Sequence, residues 1–405
     1  MQAKNKIIAL SLCIGSILAG MTTSCGSRQV VSMGEELEIR KMSGFPEGEA
    51  GFNLGVSACY AGIIDEQLVM AGGCNFPEVP AAEGGTKRFY KGIYAARITP
   101  DSILNWQKIG ELPVPAAYGV SVSTPQGIIC VGGTNTEGAL NTVYRISMLD
   151  TLQSVRIETL PSLPCTLDNM GGALLENVLY ITGGNADGKP ANRLFCLNLA
   201  EPTTGWQELP GFPGSDRVQP VCVGLRNQGE MMLYMWGGFA PWHDNKSATL
   251  SVDGYAYSPS RKEWTSVAAP IGKDSVSISL GGGTAIALSD SVVMCMGGVN
   301  KDIFLSALQR EEQTKKAIAT NNQVLADSLK AVAKAYMLQE PSRYQFNDRI
   351  CLYNSRSNTW RELSRTSETA RAGAALVGEG KRFFSINGEL KPGVRTPEIV
   401  EITVQ

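Results

Sequence analysis

Histidine is nearly absent from this 405-residue chain, with His243 the sole copy. A copper oxidase site built on two histidine ligands is therefore excluded. A Ser-His-Asp hydrolase would rest on His243 alone, in the loop Ala240-Pro241-Trp242-His243-Asp244, where a surface or binding-loop histidine is the plainer reading. An excess of either charge is also missing: 36 Lys and Arg face 38 Asp and Glu, for a net charge of −2. With no basic stripe and no acidic tail, neither nucleic acid nor a polycationic partner is expected. No two cysteines stand at the C-x-x-C spacing of a zinc site. The apolar run at residues 7–21 is too short to hold the chain across a bilayer as a stable anchor.

That run has the form of an export signal. Lys4 and Lys6 precede it, and the small residues Thr22-Thr23-Ser24 lead to Cys25. The arrangement resembles a bacterial lipobox, with Thr22 where leucine is usual. Residues 1–24 are expected to be a lipoprotein signal peptide, Cys25 the lipidated N-terminus and residues 25–34 a tether. The expected location is the periplasm, on the outer membrane, with lipid as the only membrane contact. A plain secretory signal cleaved nearby is the alternative.

What the chain has in quantity is glycine, 44 residues, and part of it is periodic. An apolar run ending in a glycine pair recurs as Val69-Met70-Ala71-Gly72-Gly73, Ile129-Cys130-Val131-Gly132-Gly133, Tyr180-Ile181-Thr182-Gly183-Gly184, Tyr234-Met235-Trp236-Gly237-Gly238 and Met294-Cys295-Met296-Gly297-Gly298. Phe384-Ser385-Ile386-Asn387-Gly388 is a sixth copy. A period of about 50 residues with Gly-Gly at strand ends is the kelch-type propeller signature. After most pairs comes an aliphatic or aromatic strand, such as Leu194-Phe195-Cys196-Leu197. A Trp-led strand follows, at Trp106, Trp206, Trp264 and Trp360. Each repeat is thus four short strands, one blade of an all-β, six-bladed propeller over residues 35–405. Eight cysteines lie beyond Cys13 and Cys25: Cys59, Cys74, Cys130, Cys165, Cys196, Cys222, Cys295 and Cys351. Most sit in apolar strands where other blades carry Val or Ala, so buried free thiols are expected, although an even count permits disulfides.

The sixth blade lacks an outer strand at the C-terminus. Glu36-Leu37-Glu38-Ile39-Arg40-Lys41-Met42 with Phe45-Pro46 resembles the outer strand Gln207-Glu208-Leu209-Pro210 and is expected to complete that blade, closing the circle and covering a sheet edge. The longest gap between glycine pairs holds residues 305–338, which lack Gly and Pro and place Val324, Leu325, Leu329, Val332 and Ala333 at helical spacing. This helical insertion in blade five is expected to lie over the channel face as a lid, with a homodimer contact as the alternative.

The residues directly after the glycine pairs share one face. They are Cys74, Thr134, Asn185, Phe239, Val299 and Glu389, so Glu389 is the single carboxylate in the set. The turn at Pro392-Gly393 can set Glu389 and Arg395 across one loop from each other. Spacing alone leaves two readings open, a loop-clasping salt bridge or a base beside an anion-binding cation. Arg217 and Arg371 each precede an innermost strand and could bind anions or face solvent. Asn75, Asn135 and Asn300 recur after the pairs and could bind hydroxyls or stabilise their turns. Tyr118 is a pocket wall or a packing residue.

The segment Asn387-Gly388-Glu389-Leu390-Lys391-Pro392-Gly393-Val394-Arg395-Thr396 closely resembles a motif of bacterial N-acetylneuraminate mutarotases, also called epimerases. Gly297-Gly298-Val299-Asn300-Lys301-Asp302-Ile303-Phe304, Phe212-Pro213-Gly214-Ser215-Asp216-Arg217 and Ala117-Tyr118-Gly119-Val120-Ser121 are similar to that family as well. The blade order is rotated, as in a cyclically permuted branch. The loop from Cys74-Asn75-Phe76-Pro77 to Tyr94 departs from the sialic-acid enzymes. The resemblance implies a sugar-acid isomerase with Glu389 and Arg395 as the catalytic pair. Mutarotation needs a proton removed from the anomeric hydroxyl and one delivered to the ring oxygen, and a carboxylate suits the first task. An arginine can hold a sugar carboxylate bidentately. No metal or organic cofactor is called for. A kelch module that only binds carbohydrate or protein is the competing class.

Overall fold

The computed structural model describes residues 36–149 and 154–405. The expected signal peptide, Cys25 and the tether lie outside the described residues. The described chain is all-β apart from one helical pair and short 3-10 turns. Six four-stranded antiparallel sheets are present among the described residues. Five run in chain order. The sixth runs Ala375–Glu379, Arg382–Ile386, Ile399–Val404 and then Leu37–Met42, so the N-terminal strand supplies its outer edge. Leu37 pairs with Val404 and Met42 with Ile399 across that antiparallel ladder.

The innermost strands are Tyr60–Ile64, Val120–Thr124, Gly171–Leu175, Val221–Asn227, Gly283–Ala287 and Ala375–Glu379. Just before each of them stands a residue with positive φ: Ala58, Tyr118, Asn169, Gln219, Gly282 and Gly373. Their backbones join head to tail. Ala58 N donates to Gly373 O, Tyr118 N to Ala58 O, Asn169 N to Tyr118 O, Gln219 N to Asn169 O, Gly282 N to Gln219 O and Gly373 N to Gly282 O, at 2.6–3.1 Å. The six hydrogen bonds form a closed cycle.

The glycine pairs link one sheet to the next. The second glycine donates its N–H to the segment entering the following sheet: Gly73 to Ala116 O, Gly133 to Leu167 O, Gly184 to Arg217 O and Gly298 to Arg371 O, each at 2.8 Å. Gly388 donates to Val56 O at 3.0 Å, which returns the chain to the first sheet. The approach is too close for a side chain, since a Cβ on Gly72 would lie 2.3 Å from Ala116 O. Asn387, with φ 57°, can replace the first glycine because asparagine tolerates the left-handed region.

The core lies between sheets. Ile129, Val131, Leu179, Ile181 and Phe195 fill one junction. Phe384, Ile386 and Ile399 of the sixth sheet meet Leu68, Met70 and Tyr94 of the first. Truncating such a residue, Phe384 for example, costs about 3–5 kcal/mol. The Trp-led strands add polar ties: the indoles of Trp206, Trp264 and Trp360 donate to Pro161 O, Pro210 O and Ala268 O in the preceding repeat, each at 2.8 Å. All eight described cysteines are free. Burial pushes the Cys59 and Cys351 thiols up to about 12.

Two helices, α1 (Lys301–Ala319) and α2 (Gln323–Met337), stand between the second and third strands of the fifth sheet. They begin four residues before the expected start at 305. Asn300 Oδ1 accepts from Asp302 N and Ile303 N, both at 3.1 Å, and so caps α1 early. The expected apolar stripe of α2 is corrected as well. Val324, Leu325 and Val332 are exposed, and the helix buries Ala326 instead. Small residues bring its backbone close to α1, and Leu329, Ala333 and Tyr336 are half-buried.

Candidate active site

Glu389 and Arg395 occupy the two strands of a short hairpin, Glu389–Lys391 and Val394–Arg395, as direct cross-strand partners. Gly393 takes φ 84° in the turn between them. The register sets the two side chains on one face, and Arg395 Nη1 forms an ion pair with Glu389 Oε1. The same oxygen accepts from Gly393 N at 2.9 Å. Among the described residues Glu389 Oε2 has no hydrogen-bond donor. The Glu389 side chain is 25% exposed and that of Arg395 3%. Arg395 is held on its other nitrogens too: Nε donates to Ser57 Oγ at 3.0 Å and Nη2 to Tyr118 Oη at 3.4 Å. Burial would lower the Arg395 guanidinium, but the Glu389 charge and its other neighbours keep it above its ordinary value.

Tyr118 stands on the opposite side of the guanidinium. Burial pushes its phenol well above its ordinary range, so it is protonated at neutral pH. Its oxygen also accepts from Lys87 Nζ at 3.1 Å. Phe76 forms a wall, with its ring centroid 5.2 Å from the Arg395 guanidinium carbon and 5.9 Å from Lys87 Nζ. Lys87 and Phe76 belong to the loop that departs from the resembled family. The hairpin is bordered by the end of α2, where Lys391 Nζ donates to Gln339 O at 2.6 Å and Met337 O at 3.4 Å. At the turn, a Cβ on Gly393 would lie 2.5 Å from Ala81 Cβ.

The other residues singled out in the sequence do not join this group. Arg217 is fully buried and neither faces solvent nor has an open donor face for an anion. Its Nη1 and Nη2 hold Asp253 at 2.6 and 3.2 Å, and Nη1 also reaches Gly237 O at 3.1 Å. Arg371 repeats the arrangement. Nη1 donates to Asn387 O at 3.1 Å and Glu398 O at 2.7 Å, while Nη2 meets Glu398 Oε2 at 3.1 Å. Both arginines therefore brace the first residue of a glycine pair. Asn75 is buried and ties Gly51 O and Gly55 O, each at 2.8 Å, while Tyr90 donates to its oxygen. Asn300 caps α1 and lines a separate cleft of about 660 Å³ with Arg349, Arg365 and Leu390. Asn135 holds its own turn through Glu137 N at 2.8 Å.

Sequence reasoning did not single out Lys87 and Phe76, which lie in a loop outside the repeating positions, or Ser57, which precedes Ala58 of the backbone cycle. It also missed Asn169 and Gln219, whose side chains bond each other at 2.7 Å beside Tyr118 in the backbone cycle. Alignment of the repeats on the residue preceding each inner strand would have shown those two.

A protein-family profile described as N-acetylneuraminate epimerase matches residues 2–153 and 160–405. The N-acetylneuraminate epimerase of Salmonella paratyphi B is 31% identical over 249 residues, 60% of this chain and 57% of that protein. The epimerase of Haemophilus influenzae (strain PittEE) is 30% identical over 60% of this chain and 59% of its own. That of Yersinia pestis (strain Pestoides F) is 30% identical over 65% and 62%. This chain thus spans less than two thirds of the length of these relatives. A solved structure of YjhT superposes with a TM-score of 0.50 and 23% identity, covering 60% of this chain and 64% of that one, a likeness of fold. With the profile matched along nearly its full length, the chain belongs to the N-acetylneuraminate epimerase family.

Proposed function

We propose that this protein is an isomerase that interconverts the anomers of N-acetylneuraminate, or of a related sugar acid, by acid–base ring opening and reclosure. The observation that carries this reading is the Glu389–Arg395 hairpin pair, a carboxylate with one unbonded oxygen beside a buried guanidinium and a neutral phenol. Glu389 Oε2 takes the proton of the anomeric hydroxyl. The ring C–O bond breaks as the carbonyl forms, and the ring oxygen receives the Tyr118 proton. Rotation about the adjacent C–C bond turns the other carbonyl face to the hydroxyl. Reclosure returns one proton to Tyr118 and moves the proton on Glu389 to the new anomeric oxygen. The balance closes on the protein's own groups, each worth roughly 10²–10⁴-fold. Arg395 holds the Glu389 carboxylate in place through their ion pair.

The fold is read as a six-bladed kelch-type propeller with α1 and α2 as an insertion in blade five. The closed hydrogen-bond cycle and the return of Gly388 to Val56 support this. A rotated blade order accounts for the partial overlap with the relatives, because a linear alignment follows one side of a permutation point. The sequence at residues 4–25 supports a periplasmic protein lipidated on Cys25.

The test is proton NMR of freshly released α-N-acetylneuraminate with and without the protein. Exchange that accelerates in proportion to protein is expected. Exchange at the buffer rate would refute the enzyme reading and leave a binding module.

A further inference from the structure

This inference rests on the sugar-acid reading and concerns the group that receives the acid. Arg395 is the residue expected from the sequence to hold the substrate carboxylate, but each of its nitrogens already has a protein partner: Glu389, Ser57 and Tyr118. Arg217 and Arg371 are paired with Asp253 and Glu398. Arg88, next to Lys87 in the chain, is paired with Glu78.

Lys87 differs from all of these. Its ammonium lies 4.7 Å from the Tyr118 ring centroid and 5.9 Å from that of Phe76. It donates one hydrogen bond, to Tyr118 Oη. Among the described residues it forms no ion pair. Lys87 and Arg395 therefore converge on one neutral phenol oxygen, and the carboxylate at hand, Glu389, neutralises Arg395. One positive charge is left unmatched at the site, half-buried against two aromatic rings that limit its hydration. Two of its three N–H donors remain for a ligand.

We propose that Lys87 binds the carboxylate of the sugar acid and sets the preference for acids over neutral sugars. Tyr118 lies between Lys87 and Arg395, so a carboxylate on Lys87 leaves the adjacent anomeric carbon facing Tyr118 and Glu389. In N-acetylneuraminate the carboxylate is bonded to the anomeric carbon itself, which suits this short span.

The experiment measures kcat/KM for N-acetylneuraminate and for its methyl ester with the wild type, Lys87→Gln, Lys87→Arg and Arg395→Lys. The acid-to-ester ratio is the readout, because changes common to both substrates cancel. A charge-assisted hydrogen bond corresponds to a ratio of about 10–100 in the wild type. Lys87→Gln should bring the ratio close to one, Lys87→Arg should restore much of it, and Arg395→Lys should leave it standing while lowering both rates. A ratio unchanged in Lys87→Gln overturns the proposal, as does its loss in Arg395→Lys alone or a wild type indifferent to esterification. A wild type with no effect on exchange refutes the isomerase reading separately. Calorimetric binding of acid and ester to the same four proteins then applies the same ratio to Lys87.

Discussion

Replacing Glu389 with glutamine separates chemistry from architecture, because it removes charge and basicity at nearly constant shape. In the folded protein Glu389 Oε1 accepts from Arg395 Nη1 and from Gly393 N. A glutamine amide oxygen can accept both, so the hairpin keeps its hydrogen bonds. Arg395, with its side chain 3% exposed, loses its counter-charge. Removing the partner of a fully buried ion costs about 3–5 kcal/mol. Here a neutral acceptor remains and Glu389 is 25% exposed, so about 1–3 kcal/mol is expected. That leaves a domain of ordinary stability folded. The rate effect is larger. An amide cannot take the anomeric proton, so exchange should slow by about 10²–10⁴-fold, or about 2.7–5.4 kcal/mol of barrier. NMR exchange rates should show kcat and kcat/KM falling together, because the lost interaction belongs to the transition state. A thermal melt on the same sample checks the fold. Glu389→Asp retains a carboxylate and should recover part of the rate. A Glu389→Gln protein that melts near the wild type and exchanges anomers at full rate would remove Glu389 from the mechanism.

Asp253→Ala should lower stability by about 1.5–3 kcal/mol, seen as a lower melting temperature, because Arg217 is then buried without its ion partner; activity lost without any change in melting would place Arg217 in the site after all. Replacing residues 301–338 by a Gly-Ser linker should leave the sheets folded and reduce turnover, since Lys391 loses its contact with Met337 O at the end of α2. If that deletion instead turned a dimer into a fully active monomer, the exposed Val324, Leu325 and Val332 would be a subunit contact and not the outside of a lid. Cys25→Ala should abolish incorporation of labelled lipid in a bacterial host, and labelling that persisted would exclude Cys25 as the anchor.

What was legible in the sequence was whatever recurs. The glycine pairs marked strand ends because a backbone crossing leaves no room for Cβ, and that constraint repeats at each junction. The outer strand at Leu37–Met42 was legible by its likeness to Gln207–Leu209. The Glu389–Arg395 pairing followed from a short turn of known chemistry. For Arg217 and Arg371 two readings stayed open because a residue's position before an inner strand does not reveal the partner that faces it, and for Asn75 because its place after a glycine pair does not show which carbonyls it ties. Asp253 and Glu398 each stand one residue before the third strand of their sheet, and comparing those positions would have exposed both braces. Lys87 had no such signal. It lies in a non-repeating loop and approaches Tyr118 only through the tertiary fold.

The proposed function rests on where the repetition stops. Ala58, Tyr118, Asn169, Gln219, Gly282 and Gly373 share one backbone geometry and one cycle of hydrogen bonds, so the scaffold treats them alike. Their side chains divide the cycle into two arcs. Tyr118, Asn169 and Gln219 present a phenol and two amides. Gly282, Gly373 and Ala58 present almost nothing. The hairpin is attached at the bare arc, where Glu389 and Ala372, the neighbour of Gly373, exchange backbone hydrogen bonds at 2.7 and 3.0 Å. Arg395 reaches Ser57, the neighbour of Ala58. A substrate of sugar size needs both space and hydroxyl partners, and the two arcs supply one each. The carboxylate that could attack a proton stands over the empty arc, and the polar groups that could hold hydroxyls face it from the other. With Lys87 and Phe76 added from a non-repeating loop and the end of α2 at its border, the proposed reaction centre lies where the sixth sheet meets the first.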